Sequence, residues 1–123
     1  TPDSSQVRKG LQRKDLFTVV HDTFWTDSCM YADVVLPADT QLEHTDLHAP
    51  YGHYYFSLTQ QAIKPLGESK SNQDLFRDLA KYMGYKEKCF KETDESMIKN
   101  MIDPKHNPHL KVSLMKNLKK MVG

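Results

Sequence analysis

Two groups of residues in this chain have types and spacings that could do chemistry. The first lies in Phe17-Thr-Val-Val-His-Asp22-Thr-Phe-Trp-Thr26-Asp-Ser-Cys-Met-Tyr-Ala-Asp33-Val-Val-Leu-Pro37, where two apolar runs are joined by a polar loop of acids and hydroxyls. Asp22 offers two acceptor oxygens, and Thr26 a hydroxyl that both donates and accepts. Read as strand, loop, short helix and strand, the segment puts both at the mouth of an α/β sheet. The crevice beyond the carboxyl ends of such strands is where nucleotides and other ligands settle. A purely structural reading stands beside this one, in which Asp22 caps the following helix and Thr26 its first turn.

The second group is Glu43, His44, Asp46, His48 and His53. Imidazole and carboxylate at short spacing suit zinc or iron. His44 and His48 share a face only on a helix, however, and Thr45-Asp46 followed by Pro50 and Gly52 argues for a loop. There is no HExxH string. The segment therefore reads as a polar loop without a metal. Covalent chemistry has no carrier either: Cys29 falls in the short helix and Cys89 beside Phe90, neither with a placed His and carboxylate. No catalytic residue is assigned to this stretch.

The elements that position these residues follow from periodicity. Asp3, Ser4 and Ser5 are N-cap candidates for a short helix carrying Val7 and Leu11. Leu16 to Val20 is a continuous apolar run suited to a strand buried on both faces of a parallel sheet. Thr26 or Asp27 caps a brief helix, and Asp33 to Leu36 forms a second strand stopped by Pro37. Residues 38–52 read as a loop, and Tyr54 to Leu58 as an edge strand. Ser71-Asn-Gln-Asp74 opens a helix with Leu75, Phe76, Leu79, Ala80 and Met83 along one side and Gly84 as its C′ residue. A further helix spans Thr93 to Ile102, and Leu114, Leu118 and Met121 mark a last amphipathic stretch. This βαβ-like rhythm predicts a three-layer α/β/α, Rossmann-like partial domain with a mostly parallel sheet and a helical C-terminal tail. The division is an α/β segment over residues 1–85 and a helical extension or linker over 86–123.

Composition narrows the function classes. With 123 residues, 27% charged and 38% hydrophobic, the chain fits one domain with a modest core. Seventeen basic against sixteen acidic residues leave a net charge of +1, no field to draw a nucleic acid. No run of eighteen apolar residues offers a membrane contact. Cys29 and Cys89 form no CxxC pattern, which points to a reducing, cytoplasmic setting. The start, Thr1-Pro-Asp-Ser-Ser, has no initiator Met, and the expectation is a piece of a longer polypeptide.

The ordered strings Val-Val-His-Asp22-x-x-x-Thr26, Ala32-Asp33-Val-Val-Leu-Pro37, Glu43, Ala62-Ile-Lys-Pro65, Gly67-Glu-Ser-Lys and Leu79-Ala-Lys-Tyr-Met-Gly84 carry a resemblance. Over residues 1–85 the chain resembles the molybdopterin oxidoreductases of the dimethyl sulfoxide reductase family. The resemblance implies that the parent enzyme moves oxygen atoms or electrons at molybdenum with molybdopterin guanine dinucleotide as cofactor. It also implies that this segment helps hold the guanosine end. Guanine shows N1–H and its exocyclic amine side by side, and a carboxylate takes both. On that basis Asp22 is carried over as the guanine contact and Thr26 as a hydroxyl partner to base, ribose or phosphate. His21 stands where similar sequences often have Gln, and is placed with the cofactor-binding residues. Phe24, with Trp25, is a core or shelf residue and an alternative stacking surface for the base. Asp33 and Glu43 are assigned to structure, satisfying backbone N–H groups and anchoring the loop after Pro37.

The resemblance further implies that the molybdenum ligand and any iron–sulfur cysteines lie elsewhere. The isolated segment is expected to be inactive and to lack the cofactor, with the remaining domains of the parent enzyme as its partners. The rival readings are a stand-alone guanine-nucleotide-binding module and a protein-interaction module. Against the first, there is no GxxxxGK[ST] loop and only five glycines. For the second stand the adaptable side chains of Met97, Met101, Met115 and Met121.

Overall fold

The computed structural model describes residues 3–52, 55–103 and 105. Helix α1, Ser4–Leu11, is capped by Asp3, whose carboxylate accepts the Gln6 N–H at 3.1 Å. Asp3 itself sits in the left-handed region at φ 52°, where a short polar side chain is tolerated.

Strand β1 is Val19–Asp22 and strand β2 is Val34–Pro37. They pair in parallel, with Val19 opposite Val34 and Asp22 opposite Pro37. The ladder starts later than the apolar run Leu16 to Val20 predicts. Leu16 N–H turns back to the Arg13 carbonyl, and the Thr18 N–H goes to the Asp33 carboxylate at 2.7 Å. Backbone donors taken by a turn and a side chain cannot join a ladder. Leu16 and Phe17 are exposed, Phe17 at 71%, and the paired Val19 is exposed too, so this strand is not buried on both faces. The connection contains the brief helix expected there, a 3₁₀ helix at Asp27–Tyr31 that buries Cys29.

Beyond β2 the chain pairs once more. Ala38 forms a single parallel bridge with Lys70, framed by Lys70 N–H to Pro37 carbonyl at 3.2 Å and Asp39 N–H to Lys70 carbonyl at 3.1 Å. Extended backbone at Lys70 therefore flanks β2 and runs directly into helix α2, Asn72–Tyr82. Among the described residues no strand borders the other side of β1.

The Ser71 hydroxyl accepts the Asp74 N–H at 3.1 Å and caps α2. The helix ends in a Schellman motif, with Tyr85 N–H to Ala80 carbonyl at 2.9 Å and Gly84 N–H to Lys81 carbonyl at 3.1 Å. Gly84 takes φ 78°, which a side chain would strain.

The stretch 38–52 is not all loop. Strand β3, Asp46–His48, pairs antiparallel with β4, Ser57–Thr59, so the edge strand expected at Tyr54 to Leu58 sits slightly later and has a partner. A 3₁₀ helix at Lys88–Lys91 lies against α2, and α3, Asp94–Ile102, lies against β3. The Thr93 hydroxyl caps α3 through the Ser96 N–H at 3.2 Å. Arg77 ties the two helices, bonding Asp74 within α2 at 2.8 Å and Asp94 at the start of α3.

The result is a mixed α/β arrangement with one parallel and one antiparallel pair. Ala80, Ile98, Ile102 and Cys29 are its buried apolar side chains among the described residues. No helix there is long and apolar enough to cross a membrane. The amphipathic stretch at Leu114, Leu118 and Met121 lies outside the described residues.

Candidate functional site at the sheet rim

Parallel pairing in register brings the carboxyl ends of β1 and β2 to one rim, Asp22 beside Pro37, and the Ala38 N–H extends the ladder to the Asp22 carbonyl at 3.1 Å. The Asp22 carboxylate is half-buried and turns into its own loop. One oxygen accepts the Phe24 N–H at 3.2 Å and the other the Thr26 hydroxyl at 3.4 Å. Both bonds are long. An ionised carboxylate has about four lone-pair sites, so roughly half its accepting capacity stays open. Among the described residues it has no ion-pair partner.

Thr26 also lies 3.6 Å from the buried Cys29 sulfur, and as N-cap of the 3₁₀ helix it makes no side-chain capping bond. Its hydroxyl is shared between Asp22 and the Cys29 sulfur and caps no backbone N–H of the helix. Phe24 and Trp25 stand out from the loop, 76% and 70% exposed, so neither is a core residue of the described structure.

His21 is half-buried and bridges β2 and α2. Its Nε2 lies 3.1 Å from the Pro37 carbonyl and its Nδ1 2.9 Å from the Asn72 side-chain oxygen at the start of α2. Thr23 reaches the second loop, its hydroxyl donating to the Asp39 carbonyl at 3.3 Å. Asp39 is buried, and its carboxylate stands 3.0 Å from His44 Nδ1. That approach is close but poorly aligned, which leaves the buried ring nitrogen without a hydrogen bond. Sequence reasoning missed Asn72, Thr23 and Asp39, because contacts between distant loops leave no spacing signature.

Glu43 braces the same region. One oxygen accepts the Thr40 N–H at 2.7 Å and the other the Leu66 N–H at 2.8 Å. These bonds, the Thr40 one foremost, hold its carboxyl below the usual carboxylate range. Glu43 thus anchors the loop after Pro37, and Asp33 satisfies the Thr18 N–H at the strand entrance, the two structural roles expected of them. His44, Asp46 and His48 do not converge: among the described residues no three His, Cys, Asp or Glu side chains are grouped to hold a metal ion. His53 lies outside those residues.

Parallel strands joined through a short helix, with an acid and a hydroxyl on the connecting loop at their carboxyl rim, define a chain of the mixed α/β class. Comparison with known proteins sharpens that class. A family model for molybdopterin oxidoreductase matches residues 1–82, and the chain belongs to that family. It is 49% identical over 109 residues to a probable oxidoreductase, YoaE, of Bacillus subtilis (strain 168), covering 89% of this chain and 16% of that protein. It is 32% identical over 105 residues to the dimethyl sulfoxide/trimethylamine N-oxide reductase of Rhodobacter capsulatus, covering 82% of this chain and 12% of that one. With trimethylamine-N-oxide reductase 1 of Escherichia coli (strain K12) it shares 31% identity over 94 residues, 74% of this chain and 11% of that enzyme. The chain spans between 11% and 16% of the length of these three relatives.

Proposed function

We propose that this chain is the part of a molybdopterin-dependent oxidoreductase that grips the guanosine end of molybdopterin guanine dinucleotide. The observation that carries this reading is the Asp22 carboxylate: at the rim, half-open, free of an ion pair among the described residues, and oriented by Phe24 N–H and Thr26 hydroxyl. Its open lone pairs suit the adjacent N1–H and amine of guanine. The Thr26 hydroxyl, long in its bond to Asp22, can turn to base, ribose or phosphate. The exposed Phe24 ring offers a face on which a base can lie. When bound, the molybdenum cofactor supplies the redox chemistry; these residues bind and orient it.

The parallel pair is, in this reading, a portion of a three-layer Rossmann-like sheet whose other strands come from the remaining polypeptide. Exposed Phe17, Phe24, Trp25, Met30 and Leu66 support it, since a self-sufficient domain would cover more of them. The Lys88–Lys91 3₁₀ helix and α3 then belong to a helical extension of the α/β segment. The electron partner and the substrate would be handled by other parts of the enzyme.

The test is base selectivity. In the full-length protein freed of cofactor, Asp22→Asn is expected to erase a GMP-over-AMP preference of roughly tenfold or more, the scale of one paired base-edge contact. A preference that survives the substitution defeats the assignment.

A further inference from the structure

We infer that His21 is a positioning residue: its imidazole is a strut that fixes the carboxyl end of β1, and with it the Asp22 carboxylate, against β2 and the first turn of α2. This rests on the guanine-reading role proposed for Asp22.

The Pro37 carbonyl can only accept, so the His21 Nε2 at 3.1 Å carries the proton of that bond. The Asn72 amide 2.9 Å from Nδ1 can present its oxygen or, turned over, its NH₂ group. Nδ1 is thus satisfied whether the ring is neutral or charged. Both nitrogens are spent on neighbouring elements of the fold, and neither is left for a ligand.

What the strut touches is firm. Pro37 is the register partner of Asp22 itself. Asn72 opens α2 immediately after Ser71, a capping residue only 3% exposed. The other restraints on the Asp22 side chain are its bonds to Phe24 and Thr26, at 3.2 and 3.4 Å. Bonds of that length leave the carboxylate direction loosely set. A ring wedged between two anchored partners one residue earlier sets it more tightly. The chemistry needed is one donor and one ambivalent polar atom on a single side chain. Glutamine supplies both, and alanine neither.

The test uses the full-length protein freed of cofactor, with GMP and AMP affinities measured by calorimetry and folding followed by thermal denaturation. His21→Ala and Asn72→Ala should each narrow the GMP-over-AMP ratio about tenfold, and the double variant should be no worse than either, as for two ends of one strut. His21→Gln should return the ratio to within about threefold of the parent, because its amide can make both bonds. If His21→Ala keeps the parental ratio while Asp22→Asn loses it, the strut is wrong and the base reading stands. If His21→Gln is as damaging as His21→Ala, the ring itself meets the ligand. If Asp22→Asn keeps the ratio, base reading and strut fall together. Asn72→Ala, which leaves the ring in place, decides the matter should His21→Ala not fold.

Discussion

Asp22, His21 and Glu43 show how differently three polar side chains can be used within one rim. Asp22 is held lightly and keeps accepting capacity in reserve. His21 is engaged through both ring nitrogens, and Glu43 is buried and held by short bonds from two backbone N–H groups. Glu43 carries a pH prediction. Its folded-state pKa lies below its ordinary value of 4.5, so its stabilising bonds are fully present above that pH and are lost as pH falls through the lowered value. Acid titration of the parent followed by circular dichroism should show stability falling below about pH 5, while Glu43→Gln is weaker at neutral pH and has a flatter acid limb. An unchanged acid limb in that variant would assign the brace no role. Residue roles were unevenly legible. Asp33 and Glu43 follow from position relative to strand ends, but the partners of His21 and Asp39 come from loops far away in sequence, where no local pattern exists to read.

At the scale of elements, α2 is the best written. A Ser-x-x-Asp opening, an apolar stripe and a terminal glycine agree with one another, and agreement between levels is what makes a segment fold as written. Ser71→Ala should cost about 1 kcal/mol, and Gly84→Ala a similar amount through its φ of 78°, both measured by urea denaturation. Arg77→Ala, which unties α2 from α3, should cost about 1–3 kcal/mol and raise exchange rates in α3 before those in α2. The strands were harder to place. An apolar run marked β1, but donors captured by Arg13 and Asp33 moved its start to Val19. β3 was hidden because Asp46-Leu47-His48 is short, polar at both ends and half-buried, so alternation had nothing to show.

For the whole molecule, the balance of covered and open apolar surface is the informative quantity. Four small or aliphatic side chains are buried among the described residues, while Phe17, Trp25 and Met30 are each about 70% or more exposed. Trp25 is the chain's single tryptophan and reports on this directly. In the 123-residue chain alone its fluorescence should be red-shifted and readily quenched by iodide, and the chain should bind a hydrophobic dye. Blue-shifted, protected emission in the isolated chain would mean that the surface closes on itself and needs no neighbour.

The link between β1 and β2 runs only from Thr23 to Asp33. Contacts so close along the polypeptide form quickly, ahead of pairings that must gather distant segments. During synthesis the Asp22 loop should thus acquire its shape soon after Pro37 leaves the ribosome, whereas the His21–Asn72 bond must wait for another 35 or so residues. The rim is assembled in two instalments, shape first and rigidity second.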